Sequence, residues 1–331
     1  MRAWRVRELG EPEEALKLEE IEDPSPEAGE VVVAVEAAAL NFFDILLCRG
    51  EYQERPELPF TLGAEVSGRV SMAGEGVDLE PGTRVLAAPQ LPRGGLAEKV
   101  AVPARRVFPI AQKMPSESAA ALHIAYQTAH FALYRRANLR EGETVLVHAG
   151  AGGVGSAAIQ LARAAGARVL ATAGGAEKTG VCRELGAEVA IDYREENFVE
   201  VVKEETEGRG ADVIFDPVGG DVFDSSRRCV AFEGCIVVVG FAGGRIAEAP
   251  TNHLLVKNYS VVGLHWGLYE KMMPHLIGET HDELMRLYGE GEIDPLVGET
   301  VPFEEVPQAL MLLGSRATRG KLVTRPHGTM R

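Results

Sequence analysis

The stretch TVLVHAGAGGVGSAAIQLARAAG, residues 144–166, decides the fold of this 331-residue chain. Its first five residues form a mostly apolar, β-branched run that is typical of a strand buried on both faces. Three glycines then match the pattern G-x-G-x-x-G: Gly150, Gly152 and Gly155. In a strand–turn–helix unit these glycines allow a sharp turn, the approach of backbone to a pyrophosphate, and close packing of the helix on the strand.

The helix after this turn adds unpaired N–H groups and the positive end of a dipole, both of which suit a diphosphate. A glycine-rich turn also serves plain chain reversal, but here a strand precedes it and alternating strands and helices follow. We therefore predict a dinucleotide site on this turn. The predicted phosphate-binding positions, through their backbone amides, are Ala151, Gly152, Gly153 and Val154.

Strands and helices alternate up to about residue 263, which predicts an α/β domain with a parallel, doubly wound sheet. The predicted strands are 144–148, 168–172, 188–192, 212–216, 235–240 and 259–263, and the predicted helices lie near 154–165, 176–185, 195–206 and 221–231. The first 120 or so residues hold short strands separated by Gly and Pro, which predicts a compact, barrel-like β domain. The C-terminal part predicts strands in ETVPFEEV and GKLVTRP that return to that domain. The predicted boundaries are 1–122, 123–263 and 264–331.

Composition and charge narrow the classes of function. The formal net charge is −15 and no dense basic run occurs, which argues against nucleic acid or an anionic membrane as the main partner. The first residues, MRAWRVRELG, lack the apolar core of a signal peptide, and no segment is long enough to span a bilayer. Four cysteines are scattered without a C-x-x-C pattern: Cys48, Cys182, Cys229 and Cys235. We expect a cytoplasmic protein with reduced thiols.

The end of the second strand in the dinucleotide unit selects between NAD and NADP. NAD-selective sites place Asp or Glu there, about 20 residues past the glycine turn, to hold the ribose 2′-hydroxyl. This chain has TAGGAEK at 172–178, with no acid at the strand end, small residues around Gly174, and Lys178 close by. Lys178 alone fits an exposed helix face equally well, but the missing acid favours a 2′-phosphate and therefore NADP(H). Tyr193 is predicted to contact the same end of the cofactor, although a tyrosine at a strand end more often serves packing.

Two further turns follow strands of the same sheet. They are PVGG at 217–220 and GFAG at 240–243. Ligands of open α/β sheets bind at the carboxyl ends of the strands, where these turns lie. Glycines also merely turn the chain, but two such clusters beside the fingerprint predict a cofactor trough. The predicted residues in it are Val218, Gly240, Phe241 and Ala242.

Five segments together resemble the medium-chain dehydrogenase/reductase superfamily, and more narrowly its zinc-independent NADPH:quinone oxidoreductase branch, which includes zeta-crystallin. They are NFFDILLCRGEYQ (41–53), LPFTLGAEVSG (58–68), VHAGAGGVG (147–155), DPVGG (216–220) and GSRATRGKLV (314–323). They run in order over nearly the whole chain. The resemblance implies a GroES-like β-barrel catalytic domain built from both chain ends and a Rossmann domain between them. It also implies an active site in the cleft between the domains and a homodimer paired through the Rossmann domains.

The sequence departs from the zinc-dependent relatives at their metal ligands. Those enzymes carry a catalytic cysteine near Asn41 and a Gly-His-Glu where this chain has Gly63-Ala64-Glu65. Their four-cysteine lobe is also missing, because residues 91–95 lead straight into the next strand. A zinc site needs three or four ligands and Glu65 alone does not supply them, so no metal is predicted. Five histidines without ligand spacing are interpreted as satisfied or exposed: His123, His130, His148, His253 and His265.

The resemblance also implies roles for individual residues. Asn41 and Tyr52 are expected near the nicotinamide ring and the acceptor, and Thr128 is expected beside the nicotinamide. These three residues are the predicted catalytic residues. Leu264 and Trp266 are candidates for the wall of the nicotinamide pocket, and Arg316 is expected to reach the cofactor phosphate. The structural alternatives are a helix cap for Asn41, a core aromatic for Tyr52 and a solvated charge at a helix end for Arg316.

The predicted activity is hydride transfer from NADPH to an acceptor that is already electrophilic, since no metal is available to polarise an alcohol. Quinones and related activated carbonyl compounds fit best. A dedicated reductase of enones or enoyl thioesters on the same scaffold is the second enzyme hypothesis. A non-catalytic NADPH-binding protein is the third, because relatives include structural proteins of the lens.

Overall fold

The computed structural model describes residues 1–327 and divides the chain into two compact units. Unit 1 comprises Met1–His123 together with the chain from Pro295, and unit 2 comprises Ile124–Asp294. The boundaries predicted from the sequence lie at residues 123 and 264, whereas these compact units divide at residues 124 and 295.

The later division has a physical cause in unit 2 itself. The Gln127 side chain donates to the carbonyl of Ile277 at 2.8 Å, and Asp294 N donates to Gln160 Oε1 at 2.6 Å. These bonds tie the segment after residue 264 to the first helices of the unit. The local sequence of this segment does not say which core it covers.

The first part of unit 1 is rich in strands. Its strands are β1 (Arg2–Val6), β2 (Leu16–Glu20), β3 (Glu30–Ala39), β4 (Phe60–Thr61), β5 (Val66–Ala73), β6 (Arg84–Ala87), β7 (Lys99–Pro103) and β8 (Val107–Pro109). Its helices are α1 (Pro12–Ala15), α2 (Phe42–Arg49) and α3 (Ser116–Ala120), with a 3₁₀ turn at Ala104–Arg106. Strand β3 spans ten residues and is buried along most of its length.

Unit 2 alternates strands and helices as predicted. Its strands are β9 (Thr144–Val147), β10 (Arg168–Ala173), β11 (Val189–Asp192), β12 (Ala211–Asp216), β13 (Val230–Val238) and β14 (Ser260–Gly263). Its helices are α4 (His123–His130), which runs on into a π-helical segment at Phe131–Arg136, then α5 (Gly153–Ala164), α6 (Ala176–Glu184), α7 (Phe198–Glu205), α8 (Gly220–Ser226), α9 (Thr251–Lys257), α10 (Trp266–Met272) and α11 (His275–Gly289).

The C-terminal part returns to unit 1. It contributes β15 (Val297–Pro302), a 3₁₀ turn at Phe303–Glu305, α12 (Val306–Gly314) and β16 (Lys321–Arg325). One sheet of the unit has the order β15-β16-β3-β5-β6-β8, with β7 also paired to β3, and a smaller sheet has the order β2-β1-β4. The chain ends are joined across the core, because Trp4 Nε1 donates to the carbonyl of Phe303 at 2.8 Å.

The sheet of unit 2 has the order β11-β10-β9-β12-β13-β14, and every neighbouring pair in it is parallel. Numbered from β9, this is the order 3-2-1-4-5-6 of a doubly wound dinucleotide fold, which confirms the predicted fold class. Because all strands run the same way, the turns after β9, β10, β11, β12 and β13 lie at one edge of the sheet, named here the carboxyl edge. Within residues 1–327 the helices are too short or too polar for any to cross a bilayer.

Candidate functional site

The turn after β9 needs two of its three glycines for its own packing. A Cβ on Gly155 would lie 2.1 Å from the carbonyl oxygen of Ala149, and one on Gly150 would lie 2.8 Å from Cys182 Sγ. Real side chains do not approach so closely, so both positions require glycine for α5 to pack against the sheet. Ala149 itself takes a left-handed conformation with φ of 52°.

Gly152 differs from the other two glycines. A Cβ there would meet only the Ala149 oxygen, at 3.2 Å. Gly152 is the N-cap residue of α5, and its own N–H bonds back to Ala149 at 2.9 Å. The first N–H groups of a helix have no partner within it. The open face of this glycine therefore adjoins backbone donors and the positive end of α5, which together suit a diphosphate.

The turns after β10 and β11 bring together three of the residues predicted to select the cofactor and one that was missed. A Cβ on Gly174 would lie 2.6 Å from the Tyr193 hydroxyl and 3.0 Å from Arg194 Nε. Lys178 lies on α6 nearby, where burial and the positive charge of Arg194 lower the pKa of its ammonium group. Two cations thus flank the small residues at the end of β10.

Asp192, at the end of β11, fixes this arrangement. Its Oδ1 accepts hydrogen bonds from the backbone N–H groups of Gly175 at 2.9 Å and Arg194 at 3.1 Å. These two donors hold the pKa of the Asp192 carboxyl below its usual value. The ionised Asp192 carboxylate therefore links the turn after β10 to the turn after β11.

A buried histidine joins three elements behind the glycine turn. His148 Nε2 lies 2.9 Å from Ser226 Oγ, and His148 Nδ1 lies 2.9 Å from Thr172 Oγ1. Since the Ser226 hydroxyl donates to the carbonyl of Val222 at 2.7 Å, it accepts from Nε2–H, and Nδ1 accepts from Thr172. Burial lowers the pKa of His148 to about 4, so the ring is neutral near neutral pH. The interpretation of His148 as a satisfied histidine is confirmed.

The turns after β12 and β13 are bonded to each other. Asp216 Oδ1 accepts from the N–H groups of Val218 at 2.8 Å and Gly219 at 2.9 Å. Ala242 N donates to the carbonyl of Pro217 at 3.0 Å, and Gly243 N donates to that of Val218 at 2.8 Å. The four predicted trough residues, Val218, Gly240, Phe241 and Ala242, therefore lie together on this part of the carboxyl edge.

The remaining predicted residues fall in both units. In unit 2, Leu264 is buried and bonds through its N–H to the carbonyl of Val238 at 3.0 Å, next to the end of β13. Trp266 begins α10, and Thr128 is buried on α4. Arg316 lies in unit 1 after α12, in a left-handed conformation with φ of 60°, whereas the other predicted cofactor residues belong to unit 2.

Unit 1 contains a buried polar cluster around Asn41, named here the polar cluster. The Asn41 amide donates from Nδ2 to Glu65 Oε1 at 3.0 Å and accepts at Oδ1 from Lys321 Nζ at 2.6 Å. Lys321 Nζ also donates to Glu65 Oε1 at 2.7 Å, so the two charges form a buried ion pair. These bonds fix the amide plane of Asn41. Its second N–H points near the carbonyl of Ala39, 3.5 Å from Nδ2 and long for a hydrogen bond.

Asp44 completes the polar cluster. Asn41 does stand at the N-cap of α2, as the structural alternative held, but the Asp44 side chain makes the capping bond, accepting from Asn41 N at 2.8 Å. Full burial raises the pKa of Asp44 to about 7, against the backbone donor at Asn41 and the charge of Lys321, which both lower it.

Tyr52 packs beside this cluster. Its ring stacks on Phe43 with centroids 5.5 Å apart and an interplanar angle of 28°. Burial raises the pKa of its phenol, and the charges of Glu54 and Asp44 act in the same sense. Tyr52 thus belongs to the edge of the unit 1 core, as its structural alternative held, and lies within electrostatic range of the polar cluster.

The donors at the expected metal-ligand positions do not fit a zinc ion. Those positions hold Asn41, Ala64 and Glu65. The Glu65 carboxylate already forms an ion pair with the ammonium group of Lys321. An ammonium offers no lone pair and repels a cation. Within residues 1–327, no group of three or more His, Cys, Asp and Glu side chains is arranged to hold a metal ion.

Sequence reasoning missed Lys321, Arg194 and the bridging role of Asp192. Lys321 begins strand β16, where Leu322 and Val323 follow it, and it is 6% exposed. Arg194 directly follows the predicted Tyr193, but its approach to Gly174 depends on how two neighbouring strands end. No local pattern encodes that distance.

Comparison with protein families matches both units. Residues 27–112 match the alcohol dehydrogenase GroES-like domain, and residues 153–280 match the zinc-binding dehydrogenase family. Among curated proteins, a quinone oxidoreductase-like protein 2 homolog of Nematostella vectensis is 41% identical over 328 residues, which cover 97% of this chain and 88% of that protein.

Solved structures of quinone oxidoreductases are also similar to this chain. The quinone oxidoreductase of Escherichia coli, crystallised with NADPH, superimposes with a TM-score of 0.91 at 31% identity, covering 98% of this chain and 100% of that one. The quinone oxidoreductase of Thermus thermophilus, solved alone and with NADPH, gives a TM-score of 0.85 at 37% identity, with 98% and 100% covered.

Proposed function

We propose, from the premise that the chain belongs to the zinc-independent quinone oxidoreductase branch of the medium-chain dehydrogenase/reductase superfamily, that it reduces quinones or related activated carbonyl compounds with NADPH. The observation that carries the proposal is the carboxyl edge of unit 2. There the open face of Gly152 adjoins the N-terminus of α5, and two cations stand where an NAD-selective site would hold an acid.

NADPH fits the residues along this edge. The diphosphate would lie on the backbone of residues 151–154, where an added Cβ at Gly152 would intrude. The 2′-phosphate would lie against Lys178 and Arg194, with Tyr193 over the same ribose. Lys and Arg both bind phosphate strongly, and Arg does so through two parallel N–H groups. A 2′-hydroxyl offers neither cation a charge to pair with, so NADPH is preferred over NADH.

The bound cofactor supplies a hydride to the acceptor, and a proton from the medium completes the reduction of a quinone to a hydroquinone. The chain must then stabilise the negative charge that develops on the acceptor oxygen. We assign that role to the second N–H of Asn41, whose other polar atoms are held by Glu65 and Lys321. Tyr52 would line the acceptor side of the site, and Thr128 would hold the nicotinamide.

Two other activities remain as alternatives. A reductase of enones or enoyl thioesters would use the same cofactor edge and the same donor, since its acceptor also develops an oxyanion. A non-catalytic protein would bind NADPH without oxidising it. The curated relative from Nematostella vectensis is named as quinone oxidoreductase-like, which leaves the acceptor open.

Turnover with purified protein separates these hypotheses. We expect NADPH and a 1,4-quinone to give steady loss of the near-UV absorbance of NADPH, and Asn41→Ala to lower kcat more than KM. The matched control is Asn252→Ala, at an exposed asparagine on α9 outside the predicted site. Oxidation with an α,β-unsaturated ketone but not with the quinone favours the second hypothesis. NADPH that binds and is never oxidised would contradict both enzyme hypotheses.

We also propose that the protein is a homodimer paired along β14. In the described sheet β14 is an edge strand, bonded only to β13. Large apolar side chains in the segments before and after β14 in the sequence are exposed: Ile246, Leu255, Val256 and Met272. An exposed apolar patch next to an open strand edge is typical of an interface. Sedimentation analysis should give a dimer for the wild type and a monomer for Val256→Glu, and a wild-type monomer would contradict the proposal.

A further inference from the structure

A second concave site lies at the edge of the unit 2 sheet opposite the glycine turn. It is a pocket of about 300 Å³ at the amino ends of β12 and β13. It is lined by loop 208–210, by the start of β13 and the residues just before it, by Lys203 of α7 and by Lys257 at the end of α9. Since the glycine turn follows the carboxyl end of β9, this pocket is separate from the proposed cofactor edge.

The pocket is lined by cations. They are Lys203, Arg209, Arg228 and Lys257. Arg209 pairs with Asp212 at 2.6 Å, and Lys257 Nζ donates to the carbonyl of Arg227 at 2.9 Å. Within residues 1–327, Lys203, Arg228 and Lys257 form no ion pair. The chain has 49 acidic and 34 basic residues, so three adjacent cations without a carboxylate partner run against its overall charge.

The three cations lie close to one another. Burial raises the pKa of the Cys229 thiol to about 12, and Lys257, Lys203 and Arg228 each act on it in the opposite sense. Lys203 also helps burial to lower the pKa of the Lys257 ammonium group. Such mutual repulsion raises the energy of the empty pocket, and an anion bound there would relieve it.

The remaining wall of the pocket is apolar. Phe232 is 70% exposed, and it lines the pocket together with the charged residues. Gly208 and Gly210 have φ of 83° and 90°, which keeps loop 208–210 in a conformation that side chains disfavour. The lining of the pocket thus combines cationic residues with apolar ones.

We propose that this pocket binds a small molecule carrying two or more phosphate charges. Lys and Arg ammonium and guanidinium groups bind phosphate oxygens through charge-assisted hydrogen bonds. The volume is at the lower end of the range for small-molecule sites, which is too small for a protein segment of many residues. Phe232 packs against the uncharged part of the ligand.

Calorimetric titration with inorganic pyrophosphate tests the proposal. The wild type binds it, and the double variant Lys203→Gln/Arg228→Gln loses at least about tenfold in affinity, or about 1.4 kcal/mol, because two charged groups that face the phosphate oxygens are lost. The matched control, Lys17→Gln/Arg105→Gln, makes the same change of charge at exposed positions of unit 1 and keeps the wild-type affinity. All three proteins should unfold at the same urea concentration.

Two further titrations distinguish this pocket from the glycine turn and from a protein-docking surface. Adding NADPH leaves the affinity for pyrophosphate unchanged, and competition between them would assign the binding to the glycine turn and overturn the proposal. An acidic peptide binds more weakly than pyrophosphate, and the reverse order would replace a small molecule by a protein partner. No heat with the wild type, or equal affinity in the pocket variant, would also overturn it.

Discussion

The glycine turn of unit 2 presents backbone to its proposed ligand, whereas the polar cluster of unit 1 consists of side chains that bind one another. Gly152 has almost nothing near the position of its missing Cβ, while Asn41 has both ends of its amide held. A backbone site is harmed by an added atom, and a side-chain cluster is harmed by a lost one. We therefore expect added side-chain atoms to disrupt the glycine turn and removed side-chain atoms to disrupt the polar cluster.

The largest effect is expected from removing one charge of the polar cluster. Lys321→Met leaves the buried Glu65 carboxylate without its cation, which costs about 3–5 kcal/mol. Urea denaturation measures the loss. The matched control is Lys99→Met, which breaks an exposed ion pair with Asp23 and costs about 1 kcal/mol or less. Equal losses of unfolding free energy in the two variants would show that the buried ion pair stabilises the protein no more than the exposed one does.

The glycine turn should behave in the opposite way. Gly152→Val leaves the fold intact but weakens NADPH binding by about 100-fold, or about 2.7 kcal/mol, because the side chain fills the space of the diphosphate. Gly180→Val is the matched control, since a Cβ at Gly180 meets nothing within 4 Å. Fluorescence titration with NADPH measures both, and unchanged affinity in Gly152→Val would remove the turn from the cofactor site.

The preference for NADPH over NADH extends the comparison. It depends on side chains, although the diphosphate part of the same carboxyl edge is formed by backbone. Lys178→Glu should weaken NADPH binding by about 30-fold, or about 2 kcal/mol, and leave NADH binding nearly unchanged. Lys17→Glu, at an exposed position of unit 1, controls for the change of net charge. An equal loss for the two cofactors would contradict the 2′-phosphate assignment.

The smallest effect concerns the pH dependence of the polar cluster. The pKa of Asp44 is about 7 in the folded chain and about 3.9 when unfolded, so the folded state holds a proton that the unfolded state has lost. Stability therefore falls as pH rises through 7. Relative to Asp44→Asn, which does not titrate, the wild type should lose about 1.4 kcal/mol between pH 6 and pH 8. A constant difference across that range would show that Asp44 does not titrate near pH 7 in the folded chain.

The two sites also differ in how far the sequence predicts them. The glycine turn lies within a few consecutive residues, so its spacing predicted the strand, the turn and the helix. The alternation of strands and helices after it predicted a parallel, doubly wound sheet. In the polar cluster, Lys321 meets Asn41 across 280 positions of sequence. The family resemblance pointed to Asn41, but only folding brings Lys321 to it.

The missed features share one cause. Arg194 reaches Gly174 because β10 and β11 end side by side, and α11 joins unit 2 because Gln127 bonds to Ile277. Both depend on contacts between elements that are distant in sequence. Periodicity predicts that a helix has an apolar face, and it does not predict which core that face covers.

Hydride transfer tests the central claim most directly. The wild type, NADPH and a 1,4-quinone are mixed under anaerobic conditions, and the reaction is repeated with NADPH deuterated at the transferred position of C4. We predict one hydroquinone formed per NADPH oxidised, slower oxidation with deuterium, and almost no reaction in Gly152→Val at the same NADPH concentration. Bound NADPH that is not oxidised by any acceptor, or oxidation at the wild-type rate in Gly152→Val, would contradict the account.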